Sequence, residues 1–285
     1  MKIALLTCQA LPNLTKSDQL LIPALAKHKI NAHAVIWDDK TVNWSDFDYL
    51  VFRNTWDYYE KHDAFNSWLN HIESIGVKTL NSIEIIQKNK HKFYLKELES
   101  TGIKIIPTLF IKKTEDLNLT EILPSHWTKA VIKPAFSAGS YLTELFDAKN
   151  SAAVSKKYKK IASQKELLLQ QFMPEIKTVG ETSFIFFNKK FSHCINKKPV
   201  ENDFRIQVQF GGTYTLVHPK QELINQAQNI VNTIKGDLLY ARVDGIVIEN
   251  EIHLMEVECI EPDLYFNLAA NSQDLFVSSL LELIV

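Results

Sequence analysis

The sequence predicts a mixed α/β protein, with a small parallel α/β domain at the N-terminus followed by α+β segments. Short apolar strands and helix-spaced segments alternate over residues 1–83, whereas strands dominate from residue 166 onward. The chain has 285 residues, which is too long for one small core. The expected divisions are therefore an N-terminal α/β domain over residues 1–83, a central subdomain over 84–168 and a C-terminal subdomain over 169–285.

The composition excludes several classes of protein. Hydrophobic residues make up 46% and charged residues 23%, as in ordinary soluble globular proteins. The net charge of −1 offers no basic surplus, so nucleic acid is not an expected partner. Three scattered cysteines, Cys8, Cys194 and Cys259, fit a reducing compartment. No run approaches the roughly 20 apolar residues of a membrane span. The expected location is the cytoplasm.

The N-terminal domain is predicted from its alternation of strand and helix patterns. In an open parallel sheet, ligands gather beyond the carboxyl ends of the strands. Arg53 and Asp57 follow such a strand directly, within the sequence RNTWDYY. A substrate role for these two residues and simple core packing of Trp56 and Tyr58 are both open. The predicted strands are 2–7, 32–37 and 49–52, and the predicted helices are 17–28 and 64–75.

The rest of the chain carries a helix-and-strand pattern that becomes strand-rich toward the C-terminus. A lysine-rich helix over 84–101 ends at Gly102, and residues 133–140 form a loop after a buried strand. An antiparallel sheet with helices against one face fits the C-terminal half. The other predicted strands are 104–111, 130–132, 142–146, 167–173, 182–187, 191–195, 204–210, 213–217, 239–249 and 252–259, and the other helices are 150–162, 219–234 and one after Ser272.

Arginine is scarce in this sequence. Only Arg53, Arg205 and Arg242 are arginines among 32 basic residues. Lysine thus serves wherever a plain positive charge is enough. Arginine is then expected where its planar fork is needed against phosphate or carboxylate.

The hairpin over residues 240–262 is the strongest candidate site. If its turn centres on Asn250, as in a three-residue loop, positions that sum to 500 are paired. Asp244 then lies opposite Glu256, and Arg242 lies opposite Glu258. Opposed side chains are about 5 Å apart, so the carboxylates would repel each other without a cation between them.

The three acids of this hairpin predict a Mg²⁺ site, because Mg²⁺ prefers carboxylate and phosphate oxygens. The alternative is a polar, solvent-facing hairpin with one Arg–Glu pair. Ile246, Ile248 and Leu254, expected on the same face by the period of two, argue against full exposure.

A second candidate is the segment VIKPAFSAGS over residues 131–140. Lys133 ends a buried strand, and Ser137, Gly139 and Ser140 follow in a loop of small residues whose backbone N–H groups could bind phosphate. The sequence has no Walker motif, no dinucleotide-binding glycine pattern and no GxSxG nucleophile motif.

Taken in order, these segments resemble the ATP-grasp superfamily, in its glutathione-synthetase-like and RimK-like branch, near the group of the cycloserine-biosynthesis cyclo-ligase. The resemblance covers nearly the whole chain. It rests on residues 37–58, 89–108, 131–140, 167–199 and 203–212, and on the final hairpin. It implies an ATP-grasp fold, in which a Rossmann-like pre-ATP-grasp domain precedes two α+β subdomains that clasp ATP.

The resemblance also implies a role for each matching residue. One departure is Glu258, where many ATP-grasp enzymes have Asn, and the additional charge bears on metal number and affinity. For ATP, the resemblance implies phosphate contacts from Lys133 and from Lys92 or its neighbour Lys90, with Ser137, Gly139 and Ser140. It also implies an adenine-binding hinge of Gln170, Gln171, Phe172 and Met173, and ribose contacts from Glu175 or Glu181.

For the reaction, the resemblance implies catalytic roles for Arg205 and Arg242, and Mg²⁺, with Mn²⁺ as the alternative, on Asp244, Glu256 and Glu258. The implied substrate pocket contains Arg53, Asp57, Gln207 and Gly211.

The implied activity is an ADP-forming ligase that joins a small-molecule carboxylate to an amine through an acyl phosphate, acting on an amino-acid or peptide-like substrate. A small-molecule kinase on the same scaffold and a nucleotide-binding regulatory protein without chemistry are the alternatives. The sequence does not give the oligomeric state; related enzymes are often dimers or tetramers, and a homodimer is one option for this chain. His193 and Cys194, on a strand, are expected to be structural.

Overall fold

The computed structural model describes residues 1–200 and 211–284. An N-terminal parallel sheet of order β2-β1-β3-β4 confirms the predicted α/β domain. Its helix over 17–28 is shorter than predicted, since residues Asp18–Leu20 form a 3₁₀ turn instead. The elements are β1 (Lys2–Thr7), α1 (Leu21–Ala26), β2 (Asn31–Ile36), β3 (Tyr49–Asn54), α2 (His62–Ser74) and β4 (Lys78–Leu80).

Both faces of this parallel sheet are buried. Ile3 and Leu5 on one face of β1 join a core that also contains Phe276 of the C-terminal helix. Leu6 and Phe52 on the opposite face pack in a second core against α2. Burial on both faces explains why the strands read as continuous apolar runs rather than as alternating patterns.

The predicted helix over 84–101 is wrong in one respect, because it is two helices. They are α3 (Ile83–Asn89) and α4 (Tyr94–Ser100). Between them the backbone N–H of Lys92 donates to the carbonyl of Ala135, 2.9 Å away. This contact replaces a helical hydrogen bond and turns Lys92 toward the interior, so a tertiary contact overrides a continuous helical pattern.

The central sheet is antiparallel, with order β5-β8-β6-β7. The predicted strand over 104–111 is divided at Pro107: Ile105 bridges to Leu254, whereas residues after the proline pair with β8. A division between residues 168 and 169 falls inside β8. The elements are β5 (Thr108–Ile111), α5 (Leu119–Ile122), β6 (Lys129–Pro134), β7 (Glu144–Asp147), α6 (Ser151–Ala162) and β8 (Leu167–Gln171).

The C-terminal sheet is also antiparallel, with order β11-β10-β9-β12-β13. The predicted strand over 204–210 lies outside the described residues. None of the helices in the described parts of the chain has the length and apolar character needed to cross a membrane. The elements are β9 (Glu181–Phe187), β10 (Lys190–Lys198), β11 (Thr213–Val217), α7 (Gln221–Asn232), β12 (Tyr240–Ile248), β13 (Glu251–Glu258) and α8 (Ser272–Ile284).

Candidate active site

A cavity of about 550 Å³ is lined by residues of the central sheet, the C-terminal sheet and the loop after β3. This volume is in the range of small-molecule sites. Most of the residues predicted from the sequence line it. They are Lys92, Lys133, Ser137, Gly139, Ser140, Gln170, Gln171, Phe172, Met173, Glu181, Arg242, Asp244, Glu256 and Glu258.

The structure distinguishes between Lys90 and Lys92. Lys92 is buried in the cavity wall, where its ammonium contacts Glu256 at 2.9 Å and the carbonyl of Ser137. The ammonium of Lys90 points away and bonds to Asn66 and Gln87. Of these two lysines, Lys92 is therefore the one that lines the cavity.

Lys133 enters the same cavity from β6. Its position is fixed by pairing of its backbone with Leu168 of β8. Burial lowers the pKa of Lys133, and the nearby Glu256 partly offsets this. A lysine held in this way on a rigid strand is suited to contact an anionic ligand.

The loop after β6 has the backbone that an anion-binding turn requires. Gly139 and Ser140 both have positive φ, 58° and 63°. Ser137 is held by a hydrogen bond from its hydroxyl to the carbonyl of Pro134, 2.9 Å away. Turns of this kind can direct successive backbone N–H groups to one side, as in phosphate-binding loops.

An apolar patch lies beside these polar groups. Phe172 and Met173, just after β8, pack with Ile176, Ile246 and Met255. The Cα of Gln170 is paired with that of Thr108, and its side-chain amide donates to the Thr108 hydroxyl at 3.0 Å. Such a patch at a strand end can hold a flat, apolar ring.

Glu175 and Glu181, the two ribose candidates, differ in position. Glu181 lines the cavity and is paired with Lys197, whose side chain is almost fully buried. Glu175 does not line it, and its Oε2 is buried without a partner among the described residues. The geometry therefore leaves Glu181 as the candidate that faces a ligand.

The hairpin of β12 and β13 has the predicted pairs at the site. Arg242 lies opposite Glu258 and Asp244 opposite Glu256. The predicted three-residue turn is wrong: Glu249 and Asn250 form a two-residue turn with positive φ at both positions, 51° and 64°.

A β-bulge between Asp244 and Gly245 then shifts the register by one residue and restores the predicted pairs. Because of the bulge, Leu254 does not share the cavity-facing side of the hairpin with Ile246, although the sequence predicted that it would. Leu254 lies in the core on the far side of the sheet, whereas Met255 and Glu256 both line the cavity. Two neighbouring residues of β13 thus face the ligand space.

Arg242 is the centre of the charged groups on this hairpin. Its guanidinium contacts Asp244 at 2.9 Å and also pairs with Glu258. Burial opposes the ionisation of Asp244, but Arg242 and then Lys197 outweigh it and lower the pKa of Asp244 to about 2. Burial raises the pKa of Glu258, and Arg242 offsets part of this effect.

Lys197 is a cavity residue that the sequence analysis missed. Its ammonium pairs with Glu181 and lies 3.6 Å from Asp244. Although burial opposes it, the charges of Asp244 and Glu181 raise the pKa of Lys197. β10 ends in three consecutive polar residues, Asn196, Lys197 and Lys198. A pattern without alternation does not indicate which of these side chains points inward.

The predicted three-carboxylate metal centre is not assembled among the residues that the structure describes. Asp244 is held by Arg242 and by the hydroxyl of Ser183. Glu256 and Glu258 fit a Mg²⁺ ion better, since both line the cavity and their side chains are 27% exposed. Mg²⁺ is commonly bound by one or two carboxylates together with substrate phosphates.

The structure does not place Arg53, a predicted substrate residue, at the cavity, because its side chain is fully buried. The guanidinium donates to Asp18 at 2.8 Å and to the carbonyl of Pro262 at 2.6 Å. Asp57 is also outside the cavity lining, and its carboxylate accepts hydrogen bonds from Trp37 and Lys61. Both residues make internal contacts that stabilise the fold.

The neighbours of these two residues line the cavity instead. Trp56, Tyr58 and Tyr59 form part of its wall, as do Glu261 and Asp263 from the loop after β13. From the sequence, only core packing was expected for Trp56 and Tyr58, and Glu261 and Asp263 were not expected at the site. The IEPD sequence that follows the hairpin was the available signal.

Three predicted residues cannot be placed at the cavity. Arg205 and Gln207 lie outside the described residues. Gly211 is described and has a positive φ of 85°, but it does not line the cavity.

Comparison with known proteins agrees with this geometry. Residues 3–81 match the family model for the N-terminal domain of D-cycloserine synthetase DcsG. Residues 79–268, about two thirds of the chain, match the model for the ATP-grasp domain of prokaryotic glutathione synthetase. The two matches meet close to the predicted end of the N-terminal domain.

One curated relative is the cycloserine biosynthesis protein DcsG of Streptomyces lavendulae, 24% identical over 62% of this chain. The matched region spans 60% of that relative's length. A crystal structure of D-cycloserine synthetase DcsG superposes with a TM-score of 0.88 at 20% identity, covering 99% of both chains. A D-alanine–D-alanine ligase from Bacillus anthracis gives 0.71 at 17% identity, covering 99% of this chain and 96% of that one.

The similarity to these structures establishes the fold, and the match to the family model over residues 79–268 establishes the family. The chain therefore belongs to the ATP-grasp family of prokaryotic glutathione synthetase, a family of ADP-forming carbon–nitrogen ligases.

Proposed function

We propose that this chain binds Mg-ATP in the cavity and joins a carboxylate to an amine through an acyl phosphate, releasing ADP. The observation that carries the proposal is the arrangement of the cavity wall. Four cationic side chains and two half-buried glutamates lie beside an apolar patch, which matches a nucleotide with a polyphosphate and a flat base. The cationic residues are Lys92, Lys133, Lys197 and Arg242.

The nucleotide would lie with its base on the Phe172 and Met173 patch, where β8 ends, and with its ribose toward Glu181. Lys92, Lys133 and the loop at Gly139 would contact its phosphates. Mg²⁺, held by Glu256 and Glu258 with Asp244 close by, would offset the charge on the phosphates during transfer.

The reaction follows from charge and requires no protein nucleophile. A substrate carboxylate oxygen attacks the γ-phosphorus, the bond to the bridging oxygen breaks, and ADP leaves. The amine nitrogen then attacks the acyl carbon, the acyl carbon–oxygen bond breaks, and phosphate leaves. Lys197 and Arg242 would stabilise the charge of the transferring group. Exclusion of water by the cavity protects the acyl phosphate from hydrolysis.

The activities named for the similar proteins support an amino-acid or peptide-like substrate. One structural neighbour is a D-cycloserine synthetase and another is a D-alanine–D-alanine ligase. Both names refer to amino acids or their derivatives. We extend this class to the present chain as part of the proposal.

The test is to incubate the protein with Mg-ATP, hydroxylamine and pools of D- and L-amino acids and dipeptides, and to measure ADP and hydroxamate together. Hydroxamate in step with ADP supports acyl-phosphate chemistry, and dividing the pools identifies the acid. ADP without hydroxamate favours a kinase. Mg²⁺-dependent ATP binding without any product favours a regulatory nucleotide-binding protein, and the absence of ATP binding refutes the proposal.

Two variants make this test specific. Glu256→Gln should abolish product formation, because it removes a cavity carboxylate proposed to hold Mg²⁺. Glu84→Gln is the matched control, since Glu84 is an exposed residue of α3 outside this cavity, paired with Lys88. It should leave the rate of ADP formation unchanged.

A further inference from the structure

Residues 259–264, directly after β13, have an unusual set of hydrogen bonds. Six consecutive backbone carbonyls each contact a side-chain donor at 2.6–3.0 Å. The donors come from both the N-terminal domain and the C-terminal sheet, so the segment is fixed between them. The contacts are Asn81 to Cys259, Tyr240 to Ile260, Trp56 to Glu261, Arg53 to Pro262, Arg242 to Asp263 and His193 to Leu264.

This 259–264 segment places the side chain of Glu261 in the cavity wall. Glu261 is only 7% exposed and lines the cavity. Within the described parts of the chain, no side chain donates a hydrogen bond to its carboxylate and no lysine or arginine pairs with it. A buried carboxylate without an ion pair is costly, so its position on this fixed segment favours a cationic ligand.

The charged residues of the cavity wall indicate the kind of ligand that Glu261 suits. Among the described residues, six carboxylates and four cations line it. Lys92 pairs with Glu256, Lys197 with Glu181, and Arg242 with both Asp244 and Glu258.

Two carboxylates, Glu261 and Asp263, remain after this pairing. Asp263 accepts a hydrogen bond from the backbone N–H of Tyr265 at 2.9 Å. Lys133, the remaining cation, lies on β6 of the opposite sheet. Among the described residues of the cavity wall, Glu261 is therefore the carboxylate that makes no ion pair and accepts no backbone hydrogen bond from another residue.

Aromatic rings lie on the same side of the cavity. The indole N–H of Trp56 donates to the carbonyl of Glu261, and Tyr58 and Tyr59 follow it along the wall. Burial raises the pKa of Tyr58, and the charge of Glu261 adds to this effect. A carboxylate beside aromatic residues favours an organic cation, which can be attracted to both.

We infer that Glu261 binds the amine substrate in its ammonium form and accepts the proton that the nitrogen must lose before it attacks the acyl carbon, and thereby selects for the ligase an amine that is cationic in solution. The inference rests on the proposed function, because the ammonium is taken to be that of the molecule that captures the acyl phosphate. Burial raises the pKa of Glu261 to about 7, and the charge of Lys92 offsets part of this effect.

The experiment compares two small nucleophiles that differ in charge. At about pH 8 methylamine is a cation and hydroxylamine is uncharged. Wild type, Glu261→Gln, Glu261→Asp and the control Glu84→Gln are incubated with Mg-ATP and the acid found in the hydroxamate screen. N-methylamide and hydroxamate are measured separately. We expect Glu261→Gln to lose N-methylamide formation by at least about tenfold, with hydroxamate formation within about threefold of wild type.

Glu261→Asp should retain part of the N-methylamide activity, because it keeps the charge, and Glu84→Gln should retain all of it. Equal rates of N-methylamide formation in Glu261→Gln and wild type overturn the inference. So does hydroxamate formation by the wild type without any N-methylamide. A raised Mg²⁺ requirement for hydroxamate formation in Glu261→Gln also overturns it, since Glu261 would then act on the metal.

A binding measurement tests the inference without any turnover. The melting temperatures of wild type and Glu261→Gln are compared in methylammonium chloride and in sodium chloride of the same concentration. A rise specific to methylammonium in wild type, absent in Glu261→Gln, supports the inference, because a ligand of the native state raises the melting temperature. The same response in both proteins overturns it. The absence of hydroxamate in every reaction counts against the proposed function and leaves this binding result standing.

Discussion

Replacing Arg53 by Met should destabilise the protein strongly. Arg53 and Asp18 form an ion pair in which both side chains are almost completely buried, 0% and 1% exposed. The variant leaves the charge of Asp18 in the interior, with hydrogen bonds from Asn54 and Thr15 but no cation. Removing one partner of a buried pair typically costs about 3–5 kcal/mol.

This cost is large relative to the stability of ordinary domains, about 5–15 kcal/mol. The loss of the hydrogen bond to the carbonyl of Pro262 adds to it, since that carbonyl belongs to the 259–264 segment. Arg53→Met should therefore also reduce the use of the amine substrate more than it reduces hydroxamate formation. The second substitution Asp18→Asn removes the unpaired charge and should recover about 1–2 kcal/mol.

The assay is equilibrium unfolding in urea, followed by tryptophan fluorescence. Lys27→Met is the matched control, because Lys27 pairs with Asp274 at the surface, with side chains 64% and 45% exposed. Such a pair contributes less than about 1 kcal/mol. A loss in Arg53→Met no larger than that in the Lys27 control would refute the reasoning, as would a double variant less stable than Arg53→Met alone.

Three further predictions follow from the cavity. Burial raises the pKa of Glu261 from 4.5 to about 7, so the folded state binds its proton more tightly than the unfolded chain does. The free energy of unfolding should therefore fall by up to about 3 kcal/mol as the pH rises from about 4.5 to 7, and urea unfolding of Glu261→Gln should lack this loss. Lys92→Met should weaken ATP binding by about tenfold or more, whereas Lys90→Met should leave the affinity unchanged in a calorimetric titration; similar losses in both would contradict the cavity assignment. Gly180→Ala should destabilise the protein by about 1–3 kcal/mol, because φ is +80° and the added Cβ would lie 2.5 Å from the carbonyl of Lys197; an unchanged melting temperature would show that this turn can relax.

The order of the elements could be predicted from the sequence because it depends on local patterns. Apolar runs located β1 and β3, and the spacing of apolar residues located α2 and α6. Lys133 was placed at the end of a buried strand, and β6 ends one residue later at Pro134. These predictions require only neighbours in the chain, and therefore they did not depend on the tertiary arrangement.

The hairpin shows where local reasoning reaches its limit. The pairs of Arg242 with Glu258 and of Asp244 with Glu256 were correct, although the turn was predicted one residue too long. A bulge compensated for the error, and it also moved Met255 into the cavity in place of Leu254. Turn length and bulge have equal and opposite effects on register, so sequence spacing alone cannot separate them.

The sequence by itself determined the parallel N-terminal sheet, the strands of the two antiparallel sheets and the charged hairpin. Only the tertiary structure decided that Lys92 rather than Lys90 enters the cavity, that Arg53 pairs internally with Asp18, and that Lys197 points inward. It also decided the position of Glu261, since the donors to its segment come from residues far apart in the chain. The physical reason is that the periodicity of a sequence indicates which face of a helix or strand is buried. It does not indicate which residue of another domain a side chain will contact.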